Sequence, residues 1–279
     1  MSKKTKAAYL RAFQYFLLAL MLLLLLFPIY WMINTSFKEV GEVRSLPQTY
    51  FPKNFTFQNY VEMFERWRFG STFVNTAIIA GLSAAGGTAL GAMAAFGFNR
   101  FEFPGKALFF GFMIVSIALP GMVTIGPVFM AYKDIGLLDT KTGLILIDLS
   151  GALPFAIIFL YAFYQTIPRE LDDAARIDGC TWVQTLWFII LPLSAPGVVI
   201  TYIISFINGW NEFVFANVLT MSEATRVLTV RMMEIPTIHG TPYNLMAVGG
   251  MLCLFPIAII VLVGQRQIVE GLISGSLKG

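Results

Sequence analysis

The segment Thr166-Ile-Pro-Arg-Glu-Leu-Asp-Asp-Ala-Ala-Arg-Ile-Asp-Gly-Cys-Thr-Trp-Val-Gln-Thr-Leu-Trp-Phe-Ile-Ile-Leu-Pro192 decides how the rest of the chain is read. It lies between two long apolar runs, yet it is patterned too densely for a plain connector. Pro168 suits a first helical turn, and Glu170, Asp172 and Asp173 fall where the positive end of a helix dipole favours acids. Asp172 precedes Arg176 at helical spacing, acid first, which is the favourable sense for a surface pair. Gly179 supplies a left-handed stop, and Thr181-x-x-Gln184 reads as a capping box opening a second helix that ends near Leu191-Pro192. Leu171, Ala174, Ala175 and Asp178 are expected to share one face of the first helix. That face is small, smooth and flanked by acids, suited to a groove on another protein. A helix lying on a membrane surface is normally rich in Lys and Arg, and this one is acidic.

The flanks of the segment set the solvent. Of 279 residues 57% are hydrophobic, only 13% are charged and 26 are Phe. Soluble domains run nearer ~25% charged. Uncharged stretches of about 20 residues are each enough to cross a ~30 Å hydrocarbon core. Six spans are read, at about 16–33, 72–98, 107–131, 142–164, 196–219 and 245–264, making an all-α polytopic membrane protein. The membrane part runs from 16 to 264, with a 1–15 N-terminal tail, outer loops 34–71 and 220–244, and a 265–279 C-terminal tail. The first span passes into Tyr30-Trp31 and Asn34-Thr35-Ser36 without a small-residue cleavage site, so it reads as a retained helix rather than a signal peptide. Lys3, Lys4, Lys6 and Arg11 precede it without an acid, which places the N-terminus, and after six spans the C-terminus, in the cytoplasm. Over the whole chain Lys and Arg divide almost evenly between the two sides, and most of the outer ones sit in the long 34–71 loop.

Within the second span, Gly87-x-x-x-Gly91 and its small neighbours favour close helix packing. Pro120, Pro127, Pro154 and Pro256 fall inside spans and favour kinks. Net charge is +3 with the basic residues scattered, which does not make the basic face of a nucleic-acid binder. Cys180 and Cys253 lie in unlike settings, and no CxxC is present. Asp148 and Glu212 are the acids inside predicted spans. Asp148 is read as structural or interfacial. Asn208, Trp210, Asn211, Glu212 and Phe213 place amides, a carboxylate and aromatic rings together, a combination that suits sugar binding as well as it suits an interfacial anchor.

The pattern Asp173-Ala-Ala-x-x-x-Gly179, followed after nine residues by Ile189-x-Leu191-Pro192, resembles the "EAA" loop of ATP-binding cassette importer permeases, with Asp173 where the family usually carries Glu. The similarity extends over the chain. Phe27-Pro-Ile-Tyr-Trp31 through Ser36-Phe-Lys38, Phe51-Pro-Lys-Asn54, Asn59-Tyr60, Trp210-Asn-Glu-Phe213 and Gly271–Gly279 resemble the maltose-transporter type of carbohydrate permease. The resemblance implies a type I importer permease fold and a half-channel in the cell (inner) membrane. It implies a distinct second permease subunit, two cytoplasmic ATP-binding cassette ATPases and an extracytoplasmic sugar-binding protein. ATP and Mg would be bound by the ATPases, with no cofactor or metal on this chain. Coupling to the ATPase would fall to Leu171, Asp173, Ala174, Ala175, Arg176, Asp178 and Gly179, with Leu277, Lys278 and Gly279 near the ATPase dimer interface. Ile238, His239, Gly240 and Thr241 would reach the binding protein.

The residues agree that ATP chemistry lies elsewhere. No G-x-x-x-x-G-K-[ST] occurs, and a single histidine, His239, leaves no HExxH. A G-x-S-x-G elbow is also absent, which disfavours an intramembrane hydrolase. The competing reading is a stand-alone secondary transporter. That class tends to carry inverted repeats and midplane ion-coupling charges, which are not evident here, and it needs no docking helix.

Overall fold

The structure is a computed structural model that describes residues 3–235 and 241–276, with side chains over 9–235 and 241–267. Among the described residues every regular element is helical. They are α1 (Lys3–Ser36), α2 (Val40–Val43), α3 (Gln58–Glu65), α4 (Phe69–Arg100), α5 (Lys106–Ala118), α6 (Gly121–Asp134), α7 (Lys141–Tyr164) and α8 (Glu170–Ile177). There follow α9 (Trp182–Thr185), a π-helical turn (Leu186–Ile190), α10 (Leu191–Leu193), α11 (Ala195–Trp210), α12 (Val214–Leu219), α13 (Leu228–Glu234) and α14 (Tyr243–Ser276).

Among the described residues four helices are long and apolar enough to cross a membrane, over residues 9–36, 69–100, 141–164 and 243–267, and two sharply bent helix pairs pass the same test only when each pair is taken together. The helices that carry both terminal spans run past the spans read from sequence: α1 begins at Lys3, inside the expected 1–15 tail, and α14 continues to Ser276, inside the expected 265–279 tail. The third span is not the single helix expected over 107–131. α5 and α6 meet at 100°, because Pro120 disfavours helical geometry at the residue before it, and Leu119 is extended with ψ 124. The expected 196–219 span is likewise interrupted. α11 ends at Trp210, and Glu212 Oε1 accepts a 2.8 Å bond from Phe215 N–H to start α12. Upstream, the helical run Trp182–Leu193 turns by 82° into α11.

The chain divides into two compact units. In the unit formed by residues 1–68 and 232–255, the buried Asn59 Nδ2 donates 2.8 Å bonds to the carbonyls of Ser36 and Lys38, and its Oδ1 accepts from Asn244 Nδ2 at 2.7 Å. One amide thus pins the end of α1 and the start of α14 to α3. Phe37 stacks on Phe55 at 4.5 Å beside it.

In the unit formed by 69–231 and 256–279, α4 packs along α7, and α11 lies against both. The α4–α7 contact depends on missing side chains. A Cβ at Gly91 would lie 2.5 Å from Ala156 Cβ and 3.3 Å from the Ala156 carbonyl carbon, and one at Gly87 would lie 3.2 Å from Ala152 Cβ. The small-residue seam predicted from Gly87-x-x-x-Gly91 is present, with Ala152 and Ala156 as its other half.

A second tie joins the α6–α7 turn to the α12–α13 segment. Asp139, at φ 55, accepts at Oδ1 from Met221 N–H (2.9 Å), Ser222 N–H (3.0 Å) and the Thr225 hydroxyl. Desolvation pulls its carboxyl upward, but these hydrogen bonds outweigh it and hold the group far below the usual carboxylate range.

Gly91→Ala is expected to destabilise the folded protein by about 1–3 kcal/mol through overpacking against backbone. Gly97→Ala, where a Cβ meets nothing within 4 Å, should be neutral or slightly stabilising; thermal melts in detergent that fail to separate the two would contradict the seam. Asp139→Asn should lower stability at neutral pH by about 1 kcal/mol, a discounted figure for a partly exposed charged acceptor. Because the folded pKa is depressed, the carboxylate's contribution is present above about pH 4 and fades as pH falls below it. Wild type and variant should therefore converge in acid; a gap that stays constant with pH would refute the clasp.

Candidate functional site

The patterned loop folds as its local signals require. α8 ends in a Schellman motif: Cys180 N–H bonds the Ala175 carbonyl at 2.9 Å, Gly179 N–H bonds the Arg176 carbonyl at 3.1 Å, and Gly179 takes φ +86. Thr181 and Gln184 form a reciprocal capping box. The second helix runs past the expected stop at Leu191-Pro192 to Leu193, and does so through a π turn in which Leu191 N–H reaches back to the Leu186 carbonyl. Pro192 has no N–H to donate, and the widened turn just before it redistributes the ladder.

Long-range contacts depart from the sequence reading. The expected Asp172–Arg176 surface pair does not form. Asp172 Oδ2 instead lies 2.6 Å from Nε of Arg100, the last residue of α4, with side chains only 5% and 3% exposed. Arg100 also donates to the Asn99 side chain at 2.8 Å, and Arg169 donates to the Asn99 carbonyl at 3.0 Å. Burial raises the Asp172 carboxyl and outweighs the downward pull of Arg100, and the other oxygen, Oδ1, is buried without a hydrogen-bond partner. Arg176 stands 4.5 Å over the Trp182 ring, which meets Phe101 edge-on at 5.0 Å. An acid turned inward takes the nearest buried cation, while an exposed guanidinium takes an aromatic face.

The predicted face of α8 is corrected in the same way. Ala175 is 3% exposed and turns inward beside Asp172. Leu171, Asp173, Ala174 and Asp178 face solvent together with Ile177, which is 87% exposed. Ile177 and Arg100 were not among the residues singled out from sequence. The signal for Ile177 is its spacing of three from Ala174; Arg100 carries no local signal beyond ending an apolar run.

A second feature lies between α7 and α11. A cavity of about 210 Å³ is lined by Asp148, Ser205, Asn208, Gly209, Glu212 and Phe215 among others. Of the five residues grouped from sequence as a substrate path, Asn208 and Glu212 reach it. Trp210 does not: it is 1% exposed, wedged between Phe73 (5.3 Å) and Phe206 (5.5 Å). Asn211 bonds the Ile207 carbonyl of its own helix at 2.8 Å, and Phe213 packs into the core with Ile79 and Leu144. Asp148, read from sequence as structural or interfacial, is part of the cavity wall.

Thr241 is partly buried, and its carbonyl accepts from Tyr243 N–H at 3.1 Å. Ile238, His239, Gly240, Leu277, Lys278 and Gly279 lie outside the described residues.

Comparison with known proteins agrees with this architecture. The model of the binding-protein-dependent transport system inner membrane component family matches residues 87–273. The chain is 37% identical over 259 residues to the trehalose transport system permease protein SugB of Mycobacterium tuberculosis, covering 91% of this chain and 93% of that one. It is 32% identical to the trehalose/maltose transport system permease protein MalG of Thermococcus litoralis, over 93% and 94% of the two chains. A chain from the crystal structure of a bacterial ABC transporter involved in the import of alginate superposes with a TM-score of 0.81 at 20% identity, covering 95% and 98%. The fold is thus that of a type I importer permease, and the chain belongs to the family of binding-protein-dependent transport system inner membrane components.

Proposed function

We propose that this chain is one of two distinct permease subunits of an ATP-driven sugar importer, with both termini and the 166–192 loop in the cytoplasm. Two ATP-binding cassette ATPases would carry ATP and Mg, and an extracytoplasmic binding protein would deliver the sugar. Support for sugar comes from the relatives named for trehalose and for trehalose/maltose, similar over nine-tenths of the chain. The coupling reading is carried by one observation: α8 leaves Leu171, Ala174 and Ile177 open to solvent while its opposite face is fixed to α4 through Asp172 and Arg100. A force applied to the open face by an ATPase cleft would pass to a membrane-spanning helix through a buried ion pair rather than through a slack loop. Asp173, Asp178, Arg176 and Gly179 frame that face. By resemblance, Leu277–Gly279 would add an ATPase contact, and Ile238–Thr241 would reach the binding protein.

The importer reading is tested by isolating the tagged chain under gentle solubilisation. Co-isolation of a second permease and an ATPase, with ATP-dependent sugar uptake in liposomes, is the expected result; solute movement driven by an ion gradient without ATP would overturn it. On that preparation Ile177→Asp should leave folding intact, because the side chain is exposed, and should cut uptake roughly tenfold or more as a central docking contact is lost. Gly179→Val should give the same loss because a β-branched residue resists positive φ. Normal uptake in either variant would remove α8 from the coupling role.

The clamp has its own signature. Arg100→Ala should destabilise the protein by about 3–5 kcal/mol by stranding a buried carboxylate. The double variant Arg100→Met/Asp172→Leu should recover most of that stability, and equal melts for the single and double variants would show that the pair does not hold the loop.

A further inference from the structure

We infer that the cavity between α7 and α11 is a sugar subsite that accepts a neutral or amino sugar and rejects an acidic one, an inference that rests on the importer reading. Ser205, like Thr88 on α4, carries a buried hydroxyl with no hydrogen-bond partner, and of the two it is the one that lines this cavity. A serine within a membrane helix commonly spends its hydroxyl on the carbonyl one turn back, as Ser83 does to Ile79 (2.8 Å) and as Thr201 does to Gly197 on α11 itself (2.8 Å). Ser205 is 3% exposed, lines the cavity, and its Oγ has no hydrogen-bond partner. A buried hydroxyl left unpaired is destabilising, so a solute that enters the cavity and pairs this one gains that free energy.

Its neighbours specify what enters. Asp148 and Glu212 bring carboxyl oxygens and Asn208 an amide, while Phe215 offers a ring. Glu212 has one oxygen engaged with Phe215 N–H. Sugar hydroxyls match such a set, donating to carboxylates and accepting from amide and serine, while an aromatic face takes the C–H surface of a pyranose. Among the described residues no Lys or Arg lines the cavity. Two acids in one cavity without a cation cannot both hold a charge cheaply, so an anionic sugar would meet at least one carboxylate with no compensating cation, where like-charge repulsion is least screened. A volume of about 210 Å³ has room for a single ring-sized polar solute. The cavity departs from the substrate path read along the sequence by including Asp148 and Ser205 and by excluding Trp210.

The test uses the assembled transporter in liposomes, with trehalose, maltose, chitobiose and a glucuronic acid disaccharide as probes, each paired with a matching binding protein. Wild type should carry at least one neutral or amino sugar and not the uronide. Ser205→Ala should raise the half-saturating concentration for the transported sugar roughly three- to tenfold, and Asp148→Asn or Glu212→Gln roughly ten- to a hundredfold. Thermal stability should not fall in Ser205→Ala, because that hydroxyl bonds nothing in the protein. In a second readout, maleimide labelling of a Ser205→Cys variant should be slowed by the transported sugar and not by the uronide. Unchanged transport constants together with unprotected labelling would overturn the subsite while leaving the importer reading intact, and would make the cavity a water-filled space only. Preferred uptake of the uronide by wild type would overturn the charge argument. Absence of ATP-driven sugar uptake by wild type would take down the importer reading itself, and this inference with it.

Discussion

The close approach of α4 to α7 is the contact on which the rest of this unit depends. In a membrane, lipid tails are as apolar as leucine, so helices hold together by fit and by shared polar groups rather than by exclusion from water. Gly87 and Gly91 meeting Ala152 and Ala156 provide that fit where backbones nearly touch. The seam determines where the ends of both helices lie. At one end of α4, Arg100 is brought level with the start of α8 and meets Asp172. Toward the other end, Asp148 on α7 faces the cavity wall supplied by α11. A shift of one helix along the other would disturb both.

How much of this was legible in the sequence follows from the range over which each signal acts. Gly179 as a left-handed stop and Thr181–Gln184 as a cap are contests within a few residues, and the folded loop resolves them as the sequence predicts. Four of the six expected spans fall on long apolar helices, because hydropathy reports the solvent directly. Helix continuity was less legible. Hydropathy does not register a 100° bend, since the residues around Leu119-Pro120 stay apolar on both sides of the break. Pro120 was the visible clue, but Pro154 is carried inside the unbroken α7. A proline signals that a backbone bond is missing without saying whether the helix bends or absorbs the loss.

The site was legible in part for a related reason. Asp172 and Arg176 satisfy the local rule for a helix pair, and in an isolated peptide that rule would operate. Here the helix has an inner side, and burial changes the ranking: a carboxylate removed from water needs a buried cation more than a surface one. The partner, Arg100, is remote in sequence and ends an apolar helix, where it reads only as a topology marker. The same shift displaced Ala175 inward and left Ile177 outward. Trp210 shows the converse error. Aromatic and polar residues adjacent in sequence do not share a destination on a helix, and the largest of them filled the core while Asn208 and Glu212 reached the cavity.

The two candidate regions are joined by covalent and packed structure inside one unit. α8 leads through its Schellman turn into α9, then through the π turn and α10 into the 82° bend that begins α11. The buried cluster of Ala95, Phe96, Leu160, Tyr164, Leu186 and Ile190 ties the π turn to the ends of α4 and α7. A displacement of α8 therefore reaches α4 through the ion pair and α11 through the bend, and α11 carries Ser205 on the cavity wall. Since the interior of such a cluster is close-packed and transmits strain, rearranging the loop without altering that wall would require slack in the π turn. The π turn, with its widened hydrogen-bond spacing, sits between α8 and the bend into α11, so the route to α11 runs through it.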